Sequence, residues 1–190
     1  MTGARRAVFN ARMLTVMPDL AGAGQLTHAI WQRLSPWPGG KWLFSRLLGL
    51  ANPYTGSVGP HVLELRPGSC RVEICDRHAV RNHVRSVHAL AIANIAEIAT
   101  GLPLMASLPA DARTILVSLS VDYLHKARGR LISECRRIPP PPSDAREYEV
   151  ELESTVTDSS GEVVARGRAR WRVSPKQASG SRLRAPGRRN

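Results

Sequence analysis

The sequence predicts an α+β domain in which one antiparallel β-sheet wraps a single buried helix. Three observations point there. From Ser86 to Thr100 the chain lacks Pro and Gly, is rich in Ala, Leu and Ile, and is apolar on every side. A helix of that kind must be enclosed by other structure. Stretches with period-two alternation precede and follow it, the pattern of half-buried strands. Near the end, a row of glutamates and a row of arginines each alternate with apolar residues, as two facing strands would.

Composition agrees. A chain of 190 residues, 43% of them apolar, suits one domain whose core needs no staples. Cys70 and Cys75 sit five apart in an alternating segment, so they point to opposite faces of a strand. With Cys135 the count is odd, and no Cys/His spacing suits a metal, so reduced thiols in a cytoplasmic compartment are expected. The longest apolar stretch, Val87 to Ala110, is interrupted by Glu97, Gly101, Pro103 and Pro109, which argues against a membrane span. Collagen, coiled coil, disulfide scaffold and wholesale disorder are excluded.

The net charge of +12 is unevenly spread. Residues 1–24 carry three Arg and one Asp, residues 174–190 carry five basic residues and no acid, and the remaining 149 carry 19 basic and 14 acidic. More than half of the excess therefore lies at the ends. The final segment, rich in Pro, Gly and Ser, is expected to be a disordered basic tail, and residues 1–24 an extension or a start placed too early. Nucleic acid is not an expected partner.

Residues 25–55 are expected to form an N-terminal helical extension, and 56–173 the main domain. The extension holds Trp31, Trp37, Trp42 and Phe44, and is split by Pro36, Pro38, Gly39 and Gly40 into two helices, the second ending before Asn52-Pro53. The expected arrangement is a helix pair packed on the main domain, with a lid or membrane-touching element as the alternative.

Strands are then expected at His61 to Arg66 and, after Pro67-Gly68, around Cys70, Val72 and Ile74. Ser86 is the candidate N-cap of the central helix and Gly101 its terminating glycine. Further strands follow at Ile115 to Tyr123 and Arg130 to Arg137. Four consecutive prolines then force a loop. The last two strands form a hairpin about Ser159-Ser160. That register sets Glu153 opposite Arg166, Glu151 opposite Arg168, Glu149 opposite Arg170 and Glu147 opposite Arg172. The arginine row reads as a neutralised solvent face.

The segment N-H-V-R-S-V-H-A-L-A-I-A-N-I-A-E, residues 82–97, resembles the signature of the PaaI-like and hydroxybenzoyl-CoA thioesterases, which share the hotdog fold. Their motif has Asn or Gln, His six residues later, a small residue next, and Asp or Glu nine residues after the His. Asn82, His88, Ala89 and Glu97 occupy those places. A looser likeness, V-D-Y-L-H-K-A-R-G-R-L, is similar to the family's strand–turn–strand. Two positions depart: Arg85 stands where a glycine is usual, and Ala89-Leu90 replaces Gly-Gly.

The resemblance implies an acyl-CoA or related acyl-thioester hydrolase with no metal or redox cofactor, coenzyme A being part of the substrate. Glu97 is the candidate base or nucleophile, since burial on an apolar helix raises a carboxyl pKa toward a useful range. A structural acid paired with Arg81, Arg85 or an imidazole is the competing role. The backbone N–H of Ala89 is the candidate oxyanion donor. Asn82 would position water or the carbonyl. His88 would bind a carbonyl or cap the helix. Lys126 and Arg128 are candidate contacts to coenzyme A phosphates, or else solvated turn charges. Nine helical residues amount to half a turn net and about 13 Å of rise, so His88 and Glu97 cannot share a site within one chain. Two antiparallel copies would unite them, which makes a homodimer or dimer of dimers the expected assembly. A non-catalytic module binding acyl chains or acyl carriers is the alternative function.

Overall fold

The computed structural model describes residues 22–140, 142 and 147–175. Expectations for residues 1–21 and 176–190 lie outside these. Three helices come first: α1 (Ala23–Leu34), α2 (Gly40–Ala51) and α3 (Pro53–Val58). Strands β1 (His61–Arg66) and β2 (Ser69–Cys75) lead into the long helix α4 (Ala89–Ser107), and β3 (Ala112–Tyr123), β4 (Arg130–Cys135), β5 (Tyr148–Thr157) and β6 (Val163–Pro175) complete the chain. The strands form one six-stranded sheet in the order β1-β2-β4-β5-β6-β3, with every neighbouring pair antiparallel. This is the hotdog arrangement, with α4 packed on the sheet.

Alternation decides which strand face meets α4. On β2, Cys70, Val72 and Ile74 are buried and Cys75 is exposed. On β6, Ala165, Gly167, Ala169, Trp171 and Val173 turn inward and the four arginines outward. Contact is close at Gly167, where a Cβ would lie 2.8 Å from the Ala96 methyl of α4. With its 19 residues and mean hydropathy of 1.5, α4 equals a membrane-crossing helix in length and composition, yet it is the core helix of this sheet.

Four expectations need correction. First, α4 starts at Ala89 with His88 as N-cap, not at Ser86, and continues through Gly101 and Pro103 to Ser107. Ser86 is instead buried in the preceding loop, bonded to Asn82. Second, the β5–β6 register differs by two residues: Glu149 faces Arg172, Glu151 faces Arg170 and Glu153 faces Arg168, while Arg166 faces Thr155. Three residues, 159–161, separate the bonded pair Asp158 and Glu162, and Asp158 Oδ1 accepts from Ser160 N (2.8 Å) and Glu162 N (3.1 Å), with Gly161 at φ 88°. A bulge at Val156/Thr157 adds one more position. An even displacement keeps every side chain on its face. Three of the four arginines are therefore still met by acids: Arg172–Glu149 (2.8 Å), Arg170–Glu149 (3.5 Å) and, across to β3, Arg168–Asp122 (3.1 Å). Third, the fourth strand ends at Cys135, two residues early, whereas β3 and β6 extend to Ala112 and Pro175, which pair with each other. Fourth, a third short helix, α3, follows Asn52 because Pro53 at its first turn needs no N–H partner.

The N-terminal helices pack on the domain as expected. Trp31 meets Phe44 edge-on at 5.1 Å, and Ser45 Oγ accepts from Val62 N at 2.9 Å, fastening α2 to β1.

Candidate active site

Helix α4 is not wholly enclosed. Leu90 is exposed, and Ala93 and Glu97 are half-buried, while the residues between them are covered. Positions 90, 93 and 97 fall on one side of a helix, so this part of α4 keeps an uncovered stripe with the helix's only acid on it. Among the described residues the Glu97 carboxylate makes no hydrogen bond or ion pair; Arg81 is instead bonded to Asp76 at 2.6 Å. Burial alone pushes the Glu97 carboxyl above its ordinary value of 4.5.

Beside Glu97 lies a recess of about 100 Å³, lined by Asn52, Thr55, Gly101, Met105 and Trp171 among others. Two buried polar groups bonded to its lining residues Thr55 and Trp171 escaped the sequence reading. Asn94, buried one turn before Glu97, donates from Nδ2 to Thr55 Oγ1 at 3.1 Å, and its Oδ1 has no partner among the described residues. Thr100 Oγ1 accepts from the Trp171 indole N–H at 3.2 Å. An Asn and a Thr inside an apolar helical run were the available signal, but their partners on α3 and β6 are 39 and 71 residues distant.

The remaining candidates gather at the other end of α4. His88 caps the helix: its Nδ1 accepts from Leu90 N (3.1 Å) and its carbonyl from Ala91 N (2.9 Å) and Ile92 N (3.2 Å). Ala89 N–H, the remaining first-turn donor, has no partner among the described residues. Tyr123 Oη donates to the Ala89 carbonyl at 3.0 Å, holding the helix start against the end of β3.

Asn82 builds the approach to this helix. Its Oδ1 accepts from Val84 N and Ser86 N, both at 3.1 Å, and its Nδ2 donates to Ser86 Oγ at 3.0 Å. The side chain thus ties a tight loop in which Arg85 has φ 57°. A left-handed backbone explains the family's glycine at that position. Lys126 and Arg128, both exposed, flank buried Ala127, whose carbonyl accepts from Val87 N at 2.9 Å. The loop carrying them is therefore fastened beside the α4 N-terminus.

One chain hence brings Asn82, His88, Ala89, Lys126 and Arg128 to the start of α4. Glu97 sits more than two turns along, facing Thr55 and Trp171 rather than that group. Among the described residues no three His, Cys, Asp or Glu side chains come together as a metal site would require.

The comparisons with known proteins fall on the same architecture. The structure recorded as genomics APC5556 is 29% identical, with a TM-score of 0.67 over 80% of this chain and 99% of that one. A thioesterase family protein from Silicibacter pomeroyi is 18% identical, with a TM-score of 0.59 over 69% and 96%. Thioesterase HI1161 from Haemophilus influenzae is 10% identical, with a TM-score of 0.62 over 72% and 92%. These likenesses establish the shared hotdog fold. No curated protein matches the sequence. One family model, described as a domain of unknown function, matches residues 40–173, from the first residue of α2 to within β6. The chain belongs to the DUF4442 family.

Proposed function

We propose that the chain hydrolyses acyl thioesters, with acyl-CoA the expected substrate class, at a site completed by pairing of two copies. The observation that carries this is Glu97, a half-buried carboxylate with no partner among the described residues, on an uncovered stripe of a largely apolar core helix. Its raised pKa suits a base. The unbonded Ala89 N–H, at the positive end of the helix, suits a developing oxyanion. The likeness in fold to proteins described as thioesterases supports the same reading.

The pairing follows from what is left uncovered. Strand β3 is the last in the sheet, twelve residues long, with Ile115 and Val117 exposed. A long strand edge with no neighbour among the described residues invites another strand. Joining β3 to β3 across a two-fold axis continues the sheet and lays the two α4 helices side by side, antiparallel. Each stripe of Leu90, Ala93 and Glu97 is then covered, and each Glu97 approaches the Asn82–Ala89 end of the second copy. A recess of about 100 Å³ in one copy is well short of the roughly 300 Å³ at which ligand pockets begin, so the slot for an acyl chain needs both copies.

In the step so assembled, Glu97 removes a proton from water, the water oxygen bonds to the carbonyl carbon, and the oxyanion is held by Ala89 N–H. The C–S bond then breaks, and the thiolate leaves with the proton as a thiol. Lys126 and Arg128 would meet the coenzyme A phosphates. Asn82 and His88, whose hydrogen bonds build the loop and cap, keep Ala89 N–H in place. Unpaired thiols at Cys70, Cys75 and Cys135 accord with a reducing, cytoplasmic setting.

The test is a panel of acyl-CoAs read by thiol release, with Glu97→Ala in parallel. Removal of a general base should cost about 10²–10⁴-fold in rate. Wild-type rates in the variant would remove Glu97 from the mechanism. A second reading, a module that binds acyl chains or carriers without cleaving them, is favoured by one observation: the Asn82 carboxamide is already engaged within its own loop. Acyl-CoA binding with no cleavage across the panel would establish it.

A further inference from the structure

We infer that the outer face of α2 docks on an anionic membrane surface. The helix is amphipathic in an unusual sense. Its inner face, Phe44 and Ser45, is fastened to α1 and β1, and its outer face is also apolar. At 100° per residue, Trp42, Arg46, Leu50, Leu43 and Leu47 fall in that order across one arc, and all five are exposed. Trp42 is 59% and Leu50 74% exposed, and Trp37, in the turn before the helix, is 71% exposed. Aromatic and leucine side chains left in water across a whole helix face mark an interaction site.

The charge pattern selects the occupant. Residues 22–63 contain no Asp or Glu but carry Arg33, Lys41 and Arg46. Along one side of the face runs a cleft of about 530 Å³, bounded by Trp42, Arg46, Leu50, His61 and Arg77, with no carboxylate in its lining. Cations beside Trp and Leu on a helix lying flat are the chemistry of an interfacial membrane anchor, the cations meeting anionic headgroups and the rings and leucines entering the acyl boundary. At about 18 Å, α2 is long enough to lie in that interface and too short to cross it.

This inference stands apart from the hydrolase reading, because binding to vesicles needs no turnover. The experiment is co-sedimentation of the full chain with vesicles of phosphatidylcholine alone or with added phosphatidylglycerol, at low and high salt. Expected are binding to the anionic vesicles, its loss at high salt, and a blue shift of tryptophan emission. The double substitution Leu43→Ser/Leu47→Ser, and separately Arg46→Glu, should each weaken binding at least about tenfold. Thermal melts by circular dichroism show that the variants fold, and Arg46→Glu, on a solvent-facing side chain, gives a second route should the serines disturb α2. Equal binding to both vesicle types, no binding, or undiminished binding in both variants would overturn the inference. So would Leu43→Ser/Leu47→Ser dissociating an oligomer in vesicle-free solution while leaving vesicle binding unchanged, since the face would then be covered by a second copy.

Discussion

The Trp171 ring lies 2.8 Å from where a Cβ would stand on Gly101. Glycine in the middle of a helix is ordinarily unfavourable by about 1 kcal/mol against alanine. Here it lets β6 place its indole against α4, and the indole N–H reaches Thr100 Oγ1.

Gly101→Ala should therefore lower stability despite alanine's better helix propensity. The expected loss is about 1–3 kcal/mol, the usual cost of overpacking. Chemical denaturation measures it, and a gain in stability would mean that the ring moves aside freely.

Arg85→Gly should act in the opposite direction. Arg85 holds φ 57°, where an L side chain costs roughly 1–2 kcal/mol. Glycine removes that strain and gives part of it back as unfolded-chain entropy. The expected result is a small gain, about 0.5–1 kcal/mol, in a denaturant titration. A loss would show that the guanidinium makes a contact worth more than the strain.

Glu97 makes stability depend on pH with a definite sign. Its folded pKa is raised above the ordinary 4.5, so between the two values the folded state holds the proton and the unfolded state has released it. Stability falls as pH rises through that window. Glu97→Gln should melt higher than wild type at neutral pH and match it below the ordinary carboxylate range. A lower melting temperature at neutral pH would instead reveal an ion pair. On the proposed mechanism, the acidic limb of the rate profile should lie above 4.5.

The thiols should divide one against two. Cys75 is exposed at the end of β2, whereas Cys70 and Cys135 are buried opposite each other on β2 and β4. Burial pushes the Cys70 thiol far above its usual range and the Cys135 thiol upward as well. Mass spectrometry after brief alkylation should show a single label on native protein, at Cys75, and three after denaturation. Fast labelling of Cys70 or Cys135 in the native state would mean that the sheet opens locally at β2–β4.

Local periodicity determined much of this protein from sequence. Alternation of Cys70, Val72 and Ile74, of Val150 and Leu152, and of Ala165 to Val173 decides which face each strand buries. The absence of a polar side on Ala89 to Ala99 makes that segment part of the core helix. These are properties of neighbouring residues, so neighbouring residues reveal them. The tertiary structure decided what depends on residues distant in sequence. Trp171 packs on α4 at Gly101, and Asp158 with one bulge moves the glutamate and arginine rows by two places. The β3–β6 pairing leaves β3 at the open edge. Thr55 meets Asn94 beside a carboxylate that the sequence could place only on a helix. Ends, registers and surroundings are chosen by packing and hydrogen bonding between elements, and no period along the chain encodes them.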